Sequence, residues 1–250
     1  MAETIGIVGR GRVGTALAAA LAAAGERVVG PFGRGEPLPR DAGVVILAVP
    51  DAAIADAARQ VQPGPLVAHC SASAPLALLG DREGFSLHPL LAVTGAGTSF
   101  AGAGCAVAAN SPRALTEAER LAGVLGMHMA VVRDEDRALY HAAASLAANF
   151  LTTLEGEAER LMALAGVDRA MLAPLARAAL EAWAARGAGA ALTGPIVRGD
   201  EATVRRQRDA IAARAPELLP MWDALADRTR TLAAGVHAGG GAASSSTIPA

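Results

Sequence analysis

Lysine is absent from the 250 residues, and all 22 basic side chains are arginine. That excludes a lysine general acid and a Schiff-base lysine, since a guanidinium neither loses its proton nor condenses with a carbonyl. Cysteine is nearly absent too. Cys70 and Cys105 stand far apart in strand-like surroundings, so buried, reduced thiols are expected rather than a disulfide or a metal pair. Aromatic residues make up 3%, which leaves the core to alanine, leucine and valine. Neither sign of charge dominates: the formal net charge is −2, no footprint for nucleic acid or a membrane surface. No apolar run approaches the roughly 20 residues of a membrane span. The chain opens into a strand rather than a basic and then apolar leader, so a cytoplasmic protein is expected.

What remains is a chain 52% hydrophobic, long enough for one large domain or two modest ones. Its organising stretch is Glu3 to Ala24. The apolar run Ile5 to Val8 enters Gly9, Gly11 and Gly14, spaced G-x-G-x-x-G, and a helical segment follows with Val13, Leu17 and Leu21 on one face. Strand, glycine turn and helix in this order are the fingerprint of a dinucleotide site. The first glycine permits the turn, the second admits a pyrophosphate, and the third lets helix and strand pack closely. The phosphates then meet the free N–H groups at the helix N-terminus.

Downstream, Glu26 to Val29 reads as a second strand that runs into Gly30-Pro31-Phe32-Gly33-Arg34-Gly35, with no acid before Glu36. NAD-preferring folds place a carboxylate near this strand's end, so Arg34, with Arg10 or Arg12, is the candidate clamp for a 2′-phosphate. NADP is expected over NAD; a solvated loop arginine is the alternative. Val44 to Val49 reads as a central parallel strand, with Ala48, Val49 and Pro50 expected beside the nicotinamide and Asp51 as a helix N-cap. Leu66 to Cys70 releases into Ser71, and Phe85 to Leu87 ends at His88-Pro89-Leu90. Both strand ends deliver a histidine: His69, for which a structural role is as good a reading, and His88, stiffened by Pro89. Strands at Cys105 to Ala109 and Met127 to Val132 flank a helix opened by Ser111-Pro112 and closed by Gly126.

From Asp134 the period turns helical as far as about Ala234. One long helix carries an apolar stripe through Leu139, Leu146, Phe150 and Leu154, and beside it His141, Ser145 and Asn149 at i, i+4, i+8. Such a polar row either faces solvent or lines a cleft. A second helix stops at Gly187. The segment Leu192-Thr-Gly-Pro-Ile-Val-Arg-Gly-Asp200 offers Thr193 and Arg198, with Asp200 placed to cap the next helix; a purely shaping loop is the alternative. The expected division is 1–132, 133–236 and a flexible tail, 237–250.

Three stretches carry a resemblance: Gly9 to Gly14, Ser86-Leu87-His88-Pro89-Leu90, and Tyr140-His141 to Asn149 taken with Leu192 to Asp200. Together they resemble Rossmann-like proteins with the domain of unknown function 2520, over Thr4 to about Ala234. More distantly the layout is similar to pyrroline-5-carboxylate reductase and the β-hydroxyacid dehydrogenases. The resemblance implies an N-terminal α/β Rossmann domain, doubly wound and mainly parallel. An all-α domain of the 6-phosphogluconate dehydrogenase C-terminal-like type follows, used for homodimerisation, with substrate between the two. β-Hydroxyacid dehydrogenases are similar at Asn149 but carry a catalytic lysine one turn earlier, where this chain has Ser145. His141, a further turn back, is the titratable replacement. Pyrroline-5-carboxylate reductases work without such a lysine.

The expectation is therefore an NADP-dependent oxidoreductase passing hydride between nicotinamide and a carbonyl or imine carbon of a small, carboxylate-bearing metabolite. His141 is the expected proton donor, with Ser145 and Asn149 orienting the reacting group. His88 and Thr193 are expected in the pocket, and Arg198 against a carboxylate. The cofactor set is Gly9, Arg10, Gly11, Arg12, Val13, Gly14, Arg34, Ala48, Val49, Pro50 and Ser71. The alternative is an NADP(H)-binding sensor or partner-binding protein without turnover.

Overall fold

In the computed structural model, which describes residues 3–38 and 41–239, the apolar runs form the centre of a seven-stranded sheet. The strands are β1 (Thr4–Val8), β2 (Val28–Phe32), β3 (Ala42–Leu47), β4 (Leu66–His69), β5 (Gly84–Leu90), β6 (Gly104–Ala109) and β7 (His128–Val131), in the order β2-β1-β3-β4-β5-β6-β7. All neighbours are parallel except β5 and β6, which are antiparallel. β1 and β3 are apolar on both faces because both faces are covered. Val44 and Ile46 point into one cluster with Ala16, Leu17 and Leu21 of α1 (Arg12–Ala23) and Ala114, Ala118 and Leu121 of α3 (Pro112–Val124). Val45 and Leu47, one residue out of phase, point into the other with Ile54 and Ala58 of α2 (Ile54–Gln60). The sheet is doubly wound.

The expected boundaries shift in instructive places. β2 takes in Pro31, where the sequence pattern predicts a loop. It is the edge strand, where a missing N–H breaks no ladder. Asp51 does not cap α2; its carboxylate accepts from the Ser73 hydroxyl at 3.0 Å. The long helix from Asp134 is broken into a 3-10 turn (Asp134–Asp136), α4 (Arg137–Ser145), a π-turn (Leu146–Phe150) and α5 (Leu151–Leu164). A π-turn holds an extra residue, so Asn149 does not continue the straight row of His141 and Ser145. Leu139, Leu146 and Phe150 of the apolar stripe are exposed in the single chain.

The chain divides into two compact units, Met1–Phe150 and Leu151–Ala250. The strand pattern ends at Val131, yet α4 stays with the sheet because Arg137, its first residue, is 1% exposed and bonded to Ser86 of β5 and to the Ser71 carbonyl just past β4. The second unit contains α5, α6 (Leu172–Ala191), α7 (Glu201–Arg214) and α8 (Leu219–Gly239). Its core gathers Ile211, Ala215 and Leu218 against Leu161 and Trp222. Gly187 interrupts α6 at φ 74°, a conformation that costs glycine least. Asp200 caps α7 by accepting from Thr203 N at 3.0 Å. α8 runs past Ala234 to Gly239, and the remainder of the stretch read as a tail lies outside the described residues. Among the described residues, no helix is long and apolar enough to cross a membrane.

Candidate functional site

The glycine loop joins β1 to α1 at the carboxyl end of the sheet, where open α/β folds bind ligands. Each glycine does separate work. Gly9 has φ +111°, and a Cβ there would stand 2.1 Å from the Ala48 carbonyl oxygen. A Cβ on Gly14 would meet Gly9 O at 2.0 Å, so helix and strand touch backbone to backbone. Around Gly11 there is open space: nothing lies within 4 Å of where its Cβ would be. Gly11 is also the N-cap of α1, with no side chain capping the helix. Uncapped N–H groups beside a cleared approach fit a pyrophosphate.

Beside the loop lies a cleft of about 600 Å³, lined by Gly9, Arg10, Gly11, Arg34, Val49 and Pro50 among others. Arg34 is exposed on its rim and has no hydrogen bond or ion pair among the described residues. Arg10 is engaged: its Nη2 lies 2.6 Å from Glu36 Oε1, and Glu36 Oε2 also accepts from Gly33 N at 3.0 Å. Ala48 supports the loop from behind, through the close approach to Gly9. Arg12 and Val13 face elsewhere. They line a second pocket of about 220 Å³ with Cys70, His88, Pro89, Leu91 and Val93.

Next to this second pocket the ends of β4 and β5 and the first turn of α4 meet in a buried polar cluster. Arg137 donates from Nη1 to Ser86 Oγ and from Nη2 to Ser71 O, both at 2.9 Å. Its Nε lies 3.8 Å from Asp134 Oδ1, and that carboxylate also holds Leu76 N at 3.0 Å. One turn along α4, the Tyr140 hydroxyl sits 2.8 Å from His88 Nδ1, with the rings edge to face. Ser71 N donates to Nδ1 of the fully buried His69 at 3.3 Å, and Ser71 Oγ accepts from Ser73 N and Ala74 N. Ser71 thus shapes a turn with its side chain and anchors Arg137 with its carbonyl.

The cluster is electrostatically biased toward neutral groups. Burial, followed by the Arg137 charge, lowers His69 to about 4. Burial, then His141 and Arg137, lowers His88 to about 4, so both imidazoles are neutral at pH 7. Burial raises the Tyr140 phenol, which Arg137 partly offsets. Burial pushes Cys70 up to about 12, which makes it a thiol and no nucleophile.

Of the residues named from sequence, the structure gathers Gly9, Arg10, Gly11, Arg34, Val49 and Pro50 on one cleft, and Arg12, Val13 and His88 on the other pocket. His141 is exposed and close enough to His88 to depress it electrostatically. Ser145 is half-buried, and Asn149 lies in the π-turn. Thr193 and Arg198 are exposed on the 192–200 loop of the second unit. Arg137, Ser86 and Tyr140 were not singled out as functional. The available signals were that Tyr140 is the chain's one tyrosine and that Arg137, Tyr140 and His141 share an i, i+3, i+4 face.

The fold is shared with solved structures. A Thermotoga maritima protein superposes with a TM-score of 0.77 at 20% identity, over 92% of this chain and 98% of that one. A reductive aminase from Aspergillus terreus, in complex with NADPH and ethyl-5-oxohexanoate, gives 0.66 at 18%, over 91% and 93%. Pyrroline carboxylate reductase from Plasmodium falciparum, with NADP bound, gives 0.59 at 11%, over 92% and 98%. No curated protein sequence matches the chain. Residues 103–229, just over half of the sequence, match the family described as Domain of unknown function (DUF2520), and the chain belongs to that family.

Proposed function

We propose that the protein is an NADP-dependent oxidoreductase acting on a carbonyl or imine carbon of a small metabolite. The observation that carries this is the glycine loop, packed too tightly at Gly9 and Gly14 for any Cβ yet open at Gly11, over the 600 Å³ cleft. The NADP(H) bound by the reductive aminase and the pyrroline carboxylate reductase supports the same cofactor here. Gly9, Gly11 and Gly14 would hold the pyrophosphate, and Arg34, with Arg10, the 2′-phosphate, matching a planar donor fork to phosphate oxygens. Bound nicotinamide would supply hydride, and His88, His141, Ser145 and Asn149 would hold the reacting group. Much of the acceleration then comes from register between donor and acceptor. Titration with NADPH and NADH, followed by nicotinamide fluorescence, tests the reading. Expected is NADPH binding far tighter than NADH; binding of neither refutes it.

A homodimer through helices of the 6-phosphogluconate dehydrogenase C-terminal-like type belongs to this proposal. Its support lies in the second unit, where neither α5 nor α6 buries a single residue, and Leu175 and Trp183 are 67% and 53% exposed. Apolar exposure of this kind marks an interaction surface. Sedimentation at twice the chain mass is expected, and a monomer after Leu175→Asp with Trp183→Asp.

A further inference from the structure

His88 and Tyr140 stand in a relationship that the row His141–Ser145–Asn149 does not account for. The chain holds one tyrosine, and its hydroxyl lies 2.8 Å from His88 Nδ1. That hydroxyl has no other hydrogen-bond partner among the described residues, so the arrangement that uses its proton has Tyr140 donating and Nδ1 accepting. In a neutral ring with Nδ1 accepting, the proton sits on Nε2. Nε2 has no protein partner among the described residues, and His88 lines the 220 Å³ pocket beside Val13 and Cys70. The ring therefore carries a donor N–H available to the pocket, fixed by the tyrosine behind it.

We propose that His88 is the proton donor of the reaction and that Tyr140 is its positioning residue and proton reserve. This rests on the oxidoreductase reading above and names the acid within it. The substrate carbon takes up hydride, its electron pair coming from the nicotinamide proposed above. The substrate oxygen or nitrogen takes the Nε2 proton, Nδ1 takes the Tyr140 hydroxyl proton, and the imidazole ends neutral with its nitrogens exchanged. The negative charge comes to rest on the phenolate, where the Arg137 guanidinium favours it; a solvent proton then enters at Nε2 as Nδ1 returns its proton to the phenolate, which restores both the donor ring and the hydroxyl. A neutral imidazole acts here as a donor in the way a shielded hydroxyl would. The groups that face the pair are Arg137 and His141 of α4, Asp51 before α2, His69 of β4 and the Cys105 thiol of β6.

Two measurements decide it, one without any cofactor. Nitrogen-15 NMR of the imidazole in the ligand-free protein is expected to show His88 protonated on Nε2 and bare on Nδ1. Tyr140→Phe should turn this into a mixture of tautomers. Because Tyr140 is the lone tyrosine, near-ultraviolet tyrosinate absorbance follows it alone, and its ionisation should shift on His88→Gln. With a carbonyl or imine substrate from a screen, His88→Gln should lower kcat about 10²–10⁴-fold, with NADPH binding nearly unchanged. Tyr140→Phe should lower kcat less and remove the alkaline limb of the pH profile. A ring protonated on Nδ1, or wild-type kcat in His88→Gln with NADPH still bound, overturns the proposal. Loss of NADPH binding in the wild-type protein overturns the reading beneath it, and the proposal with it.

Discussion

Arg137 reaches Ser86 at 2.9 Å through a layer with no access to solvent, joining the first turn of α4 to the middle of β5. Ser86 Oγ accepts at the same time from Ala108 N at 3.0 Å, so one hydroxyl ties helix, β5 and β6 together. The same guanidinium holds Ser71 O, at the exit of β4. Tyr140 meets His88 because this clamp sets the start of the helix.

Removing the clamp has a measurable cost. Arg137→Met loses two charge-assisted hydrogen bonds, each about 1.5–3 kcal/mol, offset in part by relief of a buried charge. A net loss of about 1–3 kcal/mol in urea denaturation is expected, and unchanged stability would refute the clamp. Arg137→Lys should not restore it, since an ammonium does not reproduce the fork to Ser71 and Ser86.

Acid should weaken the fold through the two neutral histidines. His69 and His88 are each lowered from 6.5 to about 4 in the folded protein. Between those values the unfolded chain binds protons that the folded one refuses, so stability present above about pH 6.5 declines as pH falls toward about 4. Urea midpoints at about pH 7 and about pH 4.5 measure it. His69→Gln should flatten the profile; an unchanged slope would show that His69 carries none of it.

The glycines separate stability from binding. Gly9→Ala and Gly14→Ala force a Cβ to about 2 Å from backbone oxygens, and both should destabilise by more than about 2 kcal/mol. Gly11→Ala meets nothing, at an ordinary φ of −72°, and should fold within about 0.5 kcal/mol of wild type. Its defect should be in NADPH affinity alone. Equal stability losses in all three variants would argue against this division of labour.

Glu36 competes for the proposed phosphate clamp by holding Arg10. Glu36→Gln keeps an acceptor for Gly33 N, removes a negative charge from the cleft and frees Arg10. An exposed pair of this kind is worth up to about 1 kcal/mol, so NADPH affinity should rise about threefold to fivefold while NADH affinity barely changes. Weaker NADPH binding in Glu36→Gln would mean that the Arg10–Glu36 pair shapes the site instead of obstructing it.

The strands and first helix were legible because their signals are local. The run Val44 to Val49 is apolar throughout, and Gly9, Gly11 and Gly14 mark a turn that few other residues can make. Ser111-Pro112 before α3 and Asp200 before α7 are caps whose partner lies three residues away. A sequence shows such relationships directly. β2 was misplaced because its tolerance of Pro31 depends on being the edge strand, a property of the whole sheet.

The sequence by itself determined that a G-x-G-x-x-G loop opens a doubly wound sheet, that helices follow, and that no lysine is present. Only the tertiary structure decided which polar groups meet. Ser71, Ser86, His88, Arg137 and Tyr140 come from three segments joined by hydrogen bonds that span up to 66 residues, and no periodicity links them. The π-turn that displaces Asn149 from the row of His141 is likewise invisible to a count of fours. Burial decided the rest. A histidine at the end of a strand reads the same whether solvated or enclosed, and the surrounding protein, with Arg137 beside it, keeps His88 neutral.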